Sequence, residues 1–254
     1  MPATPATPPT LDDLLANRAV WRCGARDPRV LTGVPTGFGA LDAALPEGGW
    51  RQGALTELLG DVPGVGELAL LLPALARETG AGRGVLLIGP PCLPYPPAWQ
   101  AAGIRLSQLN LLVPGSAAEH WSSAELALRS GACAAVLVWE AGAPGRAPRL
   151  ASYAQLRRLQ VAASHGTSLA VLFRPAAAAG QPSPASLRLV CEPVQGLLRL
   201  RLLKRRGMVG AESVTLDPYP ANFGALLRTP AFVPEPVAAG SASLAAVAPS
   251  TARR

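Results

Sequence analysis

The chain has 254 residues, 49% of them hydrophobic, which is enough for one large α/β domain with tails or for two small domains. No run approaches the roughly 20 apolar residues of a membrane span, and the opening MPATPATPPT has neither the basic nor the apolar region of a leader, so a cytoplasmic protein without membrane association is expected. The net charge of +7 favours an anionic partner such as nucleic acid, while two distant histidines (His120, His165) and four isolated cysteines (Cys23, Cys92, Cys133, Cys191) make no metal-ligand pattern and read as reduced thiols.

Residues 1–9 read as a disordered Pro/Thr/Ala tail. Thr10 is placed as the N-cap of a short helix through Leu11, Leu14, Leu15 and Ala19, with Asp12 and Asp13 in its first turn. Residues 21–35 read as a loop. Residues 36–45 suggest a turn and one short helix, closed by Pro46-Glu47-Gly48-Gly49-Trp50.

The next stretch organises the chain. Ala54 to Leu59 suits a buried parallel strand; Gly60-Asp61-Val62-Pro63-Gly64-Val65-Gly66 is a glycine-rich loop; a Leu- and Ala-rich segment that suits a helix follows. Strand, glycine loop and helix form the scaffold of a phosphate-binding loop, G-x-x-x-x-G-K-[ST], in which backbone N–H groups cradle phosphates, the Lys neutralises them and the hydroxyl holds Mg²⁺. Gly60 and Gly66 keep that spacing, but Glu67 stands at the Lys position and Leu68 at the hydroxyl position. Each charge about 4 Å from a phosphate is worth roughly 4 kcal/mol at an effective dielectric near 20, so a carboxylate in place of a cation removes the chemistry from the frame. Glu67 reads instead as a stabilising charge at a helix N-terminus.

Strands and helices then alternate: strand 84–89, helix 96–102, strand 109–113, and an amphipathic helix 116–130 with Trp121, Leu126 and Leu128. Strand 134–139 ends in Glu140, and helix 150–164 and strand 169–173 follow. This order predicts an α/β fold with a mostly parallel sheet flanked by helices. Segments 187–191 and 197–203, joined by Glu192-Pro193-Val194-Gln195-Gly196, read as a hairpin, with a further strand at 212–216, so the sheet ends in an antiparallel C-terminal extension. Alternation puts Arg199 and Arg201 on one face, and Lys204-Arg205-Arg206 follows. Residues 10–228 are expected to form one domain and 229–254, rich in Ala, Pro and Ser, a disordered tail.

Residues 36–68 resemble the RecA recombinase core: T-G-x-x-x-L-D-x-A-L from Thr36 to Leu45, then Gly48-Gly49, a strand and the loop. The resemblance implies a RecA-like fold. It also implies that a catalytic Glu belongs where Pro91 stands, and an Asp near Mg²⁺ where Glu140 stands. A RecA-like core without these residues, with Leu-rich strands running into Lys204-Arg205-Arg206, resembles over residues 10–217 the ImuA family of translesion-synthesis accessory proteins, some of which are labelled SulA-like. That resemblance implies a non-catalytic adaptor of SOS-induced, error-prone translesion DNA synthesis. Its partners would be ImuB, an inactive Y-family polymerase homologue, an error-prone C-family DNA polymerase, and RecA or DNA.

On this reading the chain is no enzyme and needs no cofactor or metal; any ATP bound at Gly60, Gly64, Gly66, Glu67 and Leu68 would not be hydrolysed. Arg199, Arg201, Lys204, Arg205 and Arg206 are the candidate partner or DNA contacts, against the alternative of a solvated edge strand. Arg146, Arg149, Arg157 and Arg158 would line a DNA path, or Arg157 and Arg158 form one exposed helix face. Trp21, Trp50, Trp99, Trp121 and Trp139 read as core or interface. The rival function is a cell-division inhibitor that binds FtsZ.

Overall fold

A computed structural model describes residues 33–62, 64–140, 150–205 and 212–219. The expected helix after Thr10, nearly all of the 21–35 loop, and the two tails lie outside the described residues.

Helix α1 (Gly39–Ala44) precedes strand β1 (Ala54–Leu59), which is buried along its whole length. Then come α2 (Leu72–Gly80), β2 (Gly84–Ile88), α3 (Pro96–Ala101), β3 (Leu109–Leu112), α4 (Ala117–Ser130), β4 (Cys133–Trp139), α5 (Tyr153–Ser164), β5 (Leu169–Arg174), β6 (Leu187–Val194), β7 (Leu197–Arg205) and β8 (Glu212–Leu216). The strands form one eight-stranded sheet in the order β3-β2-β4-β5-β1-β6-β7-β8. The six strands from β3 to β6 are parallel, and β7 and β8 add antiparallel pairs at one edge. This is the mostly parallel α/β fold with an antiparallel extension that the alternating pattern predicts.

Both faces of the sheet are covered, which is why its central strands are continuous apolar runs. On one face Leu58, Leu87, Leu137, Val171 and Leu189 pack with Leu41 of α1, Leu75 of α2 and Trp99 of α3. On the other, Leu55, Ile88, Val136 and Leu172 pack with Ala124 and Leu128 of α4 and Leu156 and Leu159 of α5.

Local chemistry moves several boundaries. Ser116 caps α4 by accepting from the Glu119 N–H at 3.2 Å, and Gly131 ends the helix with a left-handed φ of 65°. The buried residues of α4 are His120, Ala124 and Leu128, spaced by four, and Leu126, expected on the apolar side, is 70% exposed. Helix α5 begins at Tyr153 rather than near Leu150, because Ser152 and Gln155 form a reciprocal capping box that fixes its start. The hairpin turn is only Gln195-Gly196, with φ of 50° and 81°, so Glu192, Pro193 and Val194 belong to β6 rather than to the turn.

Candidate functional site

The glycine loop leaves the C-terminal end of β1, and the helix expected directly after it starts late. Residues Ala69–Leu71 form a single 3₁₀ turn, and α2 opens at Leu72 with Pro73 in its first turn, where a missing N–H costs no helix bond. Glu67 therefore lies in the loop, and its reading as a helix N-terminal charge is replaced by a direct contact. Its Oε1 accepts the Gly64 N–H at 2.9 Å, while its Oε2 is buried with no hydrogen-bond partner among the described residues. Leu68, at the position of the Mg²⁺-holding hydroxyl, packs against the apolar core.

The segment after β8 closes over the same loop. Tyr219 donates its hydroxyl to the Gly64 carbonyl at 3.3 Å, and a Cβ placed on Gly66 would come within 2.5 Å of the Pro218 ring. Burial, then the negative charge of Glu67 and Asp217, pushes the Tyr219 phenol up. Asp61, also in the loop, accepts from the Ala176 N–H at 2.8 Å. A nucleotide phosphate does not fit this arrangement: a carboxylate already holds the Gly64 N–H and would repel a second anion.

The carboxylate at the end of β4 is equally engaged. Arg174, at the end of β5, donates from Nε to Glu140 Oε2 at 2.8 Å and from Nη2 to Oε1 at 3.4 Å, and the Ala151 N–H also donates to Oε1. Arg174 Nη1 reaches Glu57 Oε1 at 3.3 Å, and Arg188 Nε meets the other Glu57 oxygen at 2.7 Å. Arg188 then donates to the carbonyls of Ala178 and Ala179 at 2.8 and 3.2 Å, Gln181 Oε1 accepts from Arg174 at 3.2 Å, and Ser183 donates to Glu57. Two carboxylates and two guanidiniums thus neutralise one another beneath residues 175–186, all but sealed from solvent. Both Glu140 oxygens are held by a guanidinium, and among the described residues no group of three or more His, Cys, Asp or Glu is placed to hold a metal.

Sequence reading took Ala54–Leu59 as an apolar run and passed over Glu57, Arg174 and Arg188. A usable signal was present: Glu57 is the lone charge in β1, Arg174 ends the apolar run of β5 and Arg188 interrupts the apolar start of β6, and buried charges occur where they are paired. Pro91, at the other catalytic position that the resemblance implies, lies exposed in the loop after β2.

No family model matches the chain. The chain is 32% identical to protein RecA of Lactobacillus delbrueckii subsp. bulgaricus over 120 residues, which is 47% of this chain and 36% of that protein. To protein RecA of Streptomyces ambofaciens it is 30% identical over 120 residues, 47% of this chain and 32% of the other. The matched stretch spans about a third of the length of these relatives. The chain is also similar to SulA from Pseudomonas aeruginosa, a crystal structure, at 26% identity and a TM-score of 0.38 over 48% of this chain and 97% of that one. Roughly half of this chain is thus RecA-like in sequence.

The basic strand does not act as a unit. A bulge between Arg188 and Leu189 in the pairing of β6 with β7 places Lys204 opposite Arg188 but Leu202 opposite Leu189, so Leu203 is the extra residue and the alternation shifts. Arg199 is exposed, and Arg201 is half-buried beside Glu192 at 3.4 Å. Lys204 donates to the Ser183 carbonyl at 2.9 Å; partial burial and then the charge of Arg188 lower its pKa. Arg205 turns inward, donating to the Ala44 carbonyl at 2.8 Å and pairing with Glu212 at 2.6 Å. It holds α1, β7 and β8 together and is no surface contact. Arg206 lies outside the described residues, as do Arg146 and Arg149; Arg157 and Arg158 are exposed on α5.

Among the aromatic candidates, Trp50 and Trp99 are core residues, Trp139 stacks on Phe173 with centroids 4.5 Å apart, Trp121 is half-buried, and Trp21 lies outside the described residues. Cys191 lies next to the loop, its thiol pushed up to about 12 by burial and then by Glu67 and Glu192. At pH 8 the thiolate share is on the order of 10⁻⁴, so a thiol reagent is expected to label the half-buried Cys92 in the native protein and to reach Cys191 only on unfolding. Rapid native labelling of Cys191, read by mass spectrometry, would contradict this environment.

Proposed function

We propose that the chain is a non-hydrolytic, RecA-like adaptor of error-prone translesion DNA synthesis, which holds an ImuB-type inactive polymerase homologue and, with it, a C-family polymerase or RecA. The observation that carries the non-hydrolytic part is that the Gly64 N–H is taken by the chain's own Glu67 while Arg174 holds both oxygens of Glu140. The RecA-like sequence half and the antiparallel edge carrying Arg199, Arg201 and Lys204 support a binding role. Arg199 and Lys204 are exposed and Arg201 is half-buried, so these cations can reach a partner's carboxylates or nucleic-acid phosphates.

The adaptor reading is tested by a pull-down against ImuB, RecA and FtsZ from the same organism. Capture of ImuB or RecA is expected, falling at least tenfold in an Arg199→Ala/Arg201→Ala/Lys204→Ala variant. Capture of FtsZ alone would replace this reading with that of a division inhibitor.

The non-hydrolytic reading has its own assay. Glu67→Lys/Leu68→Thr restores the two missing residues of the loop motif, yet no ATP turnover is expected. The helix still starts at Leu72, and Glu140 remains bound to Arg174. Turnover above background in the unaltered protein would sink the proposal.

A further inference from the structure

We propose that Lys204 is an acyl-acceptor site: its side-chain amine takes an acyl group from an acyl phosphate or an acyl thioester, and the loss of its charge weakens partner capture at the edge that carries Arg199, Arg201 and Lys204. This rests on the reading of that edge as the partner surface and adds how the same surface is regulated.

Lys204 is the one lysine among the 23 Lys and Arg residues of the chain. A guanidinium stays protonated in a protein and is no nucleophile, so Lys204 supplies the one side-chain amine that can react. Strand register then places it. Positions 188, 190 and 192 of β6 share one face of the sheet, and their partners on β7 are Lys204, Arg201 and Arg199. The bulge at Leu203 thus returns Lys204 to the face of the two arginines. Without the extra residue, alternation from Arg201 would put Leu203 there and turn Lys204 toward the core.

This placement sets two cations directly opposite each other, Lys204 against Arg188, an arrangement that disfavours the charged form of whichever can lose its proton. Arg188 is held by Glu57 at 2.7 Å, and Lys204 is pinned by donating to the Ser183 carbonyl at 2.9 Å. An amine partly withdrawn from water beside a second cation is the setting that activates lysine nucleophiles. Partial burial, then Arg188, lower the pKa of Lys204, and Glu57 acts the other way. The side chain is still exposed enough for a small donor to reach it, and Arg201 and Arg199 farther along the same face attract the donor's phosphate.

In the reaction the unprotonated Nζ attacks the acyl carbon and a C–N bond forms. The bond from that carbon to the phosphate oxygen or thioester sulfur breaks, the leaving group takes the electron pair, and the nitrogen's proton passes to water. The product is a neutral amide. Its N–H can still donate to the Ser183 carbonyl and the repulsion from Arg188 is gone, but the edge has lost one of its three cations. Acylation is therefore expected to leave melting unchanged while capture falls.

The test incubates the full-length protein near neutral pH with acetyl phosphate and, separately, with acetyl-coenzyme A. An N-terminally blocked peptide of residues 199–205 in the same tube serves as the unfolded reference, and both are followed by mass spectrometry. Lys204 in the folded protein is expected to acetylate roughly threefold faster than the peptide with at least one donor, and that donor identifies the source. Acetylation no faster than the peptide with both donors overturns the inference.

Capture is read in the pull-down described above. The acetylated protein and Lys204→Gln are expected to capture roughly threefold less than the unmodified chain at unchanged melting, and Lys204→Arg to capture as the wild type does. Capture unaffected by acetylation, while the Arg199→Ala/Arg201→Ala/Lys204→Ala variant loses it, overturns the inference and leaves the partner surface standing. Normal capture by that variant as well overturns the partner surface, and the regulatory claim falls with it even where the acetylation rates agree.

Discussion

Arg174→Ala is expected to lower the free energy of unfolding by about 3–5 kcal/mol, read from urea denaturation followed by tryptophan fluorescence. Truncation removes the guanidinium that faces both Glu57 and Glu140 and leaves two carboxylates buried, one held by Arg188 and the other only by the Ala151 N–H. The cost is that of uncompensated charge in a poorly solvated place, far more than the near-zero worth of a surface ion pair such as Arg129–Glu125. The two effects can be separated. Arg174→Met with Glu140→Gln keeps the volume and removes the orphaned charge, and should recover about half of the loss. If Arg174→Ala is no worse than Arg129→Ala, the four-residue network contributes nothing to stability.

The same network occupies the carboxylate at the end of β4. A lone acid at the buried end of β4 needs a positive partner. Here a covalently attached guanidinium from the neighbouring strand supplies that charge permanently. Two carboxylates and two guanidiniums at the centre of the sheet thus balance one another's charge.

How far the sequence disclosed this depends on the range of the interactions. Strands β1, β2, β4 and β5 were legible because burial on both faces demands continuous apolar runs, and α4 because its pattern is amphipathic, whereas the Ser152 cap that fixes the start of α5 went unread. The degenerate loop was legible from the two residues at 67 and 68. The late start of α2 had a cue in Pro73, which belongs in a first turn and so argues against a helix starting at Glu67. The contact of Tyr219 with Gly64 had no such cue, because it depends on the end of β8 meeting the end of β1, a property of strand order alone. The bulge at Leu203 was equally silent: period-2 reading carries Arg199, Arg201 and Arg205 along one face, and a single extra residue reverses that assignment from Lys204 onward.

That reversal yields the second large effect. Arg205→Ala is expected to cost about 2–3 kcal/mol of stability, whereas Arg199→Ala, six residues earlier on the same strand, stays within about 0.5 kcal/mol. Arg205 is 8% exposed, and its loss leaves the buried Ala44 carbonyl without its donor, frees Glu212 from its ion pair and opens space between α1 and the sheet edge. Arg199 is exposed, with Thr215 opposite it on β8, so its removal uncovers nothing. Arg205→Met, which keeps much of the packing but cannot donate, should fall between the two. The comparison decides how partner-binding experiments are read: lost capture in Arg205→Ala reports a loosened C-terminal sheet edge, and only loss in Arg199, Arg201 or Lys204 variants with unchanged melting reports an interface. Equal stability of Arg205→Ala and Arg199→Ala would mean that the bulge does not turn Arg205 inward and that the basic strand presents one continuous face after all.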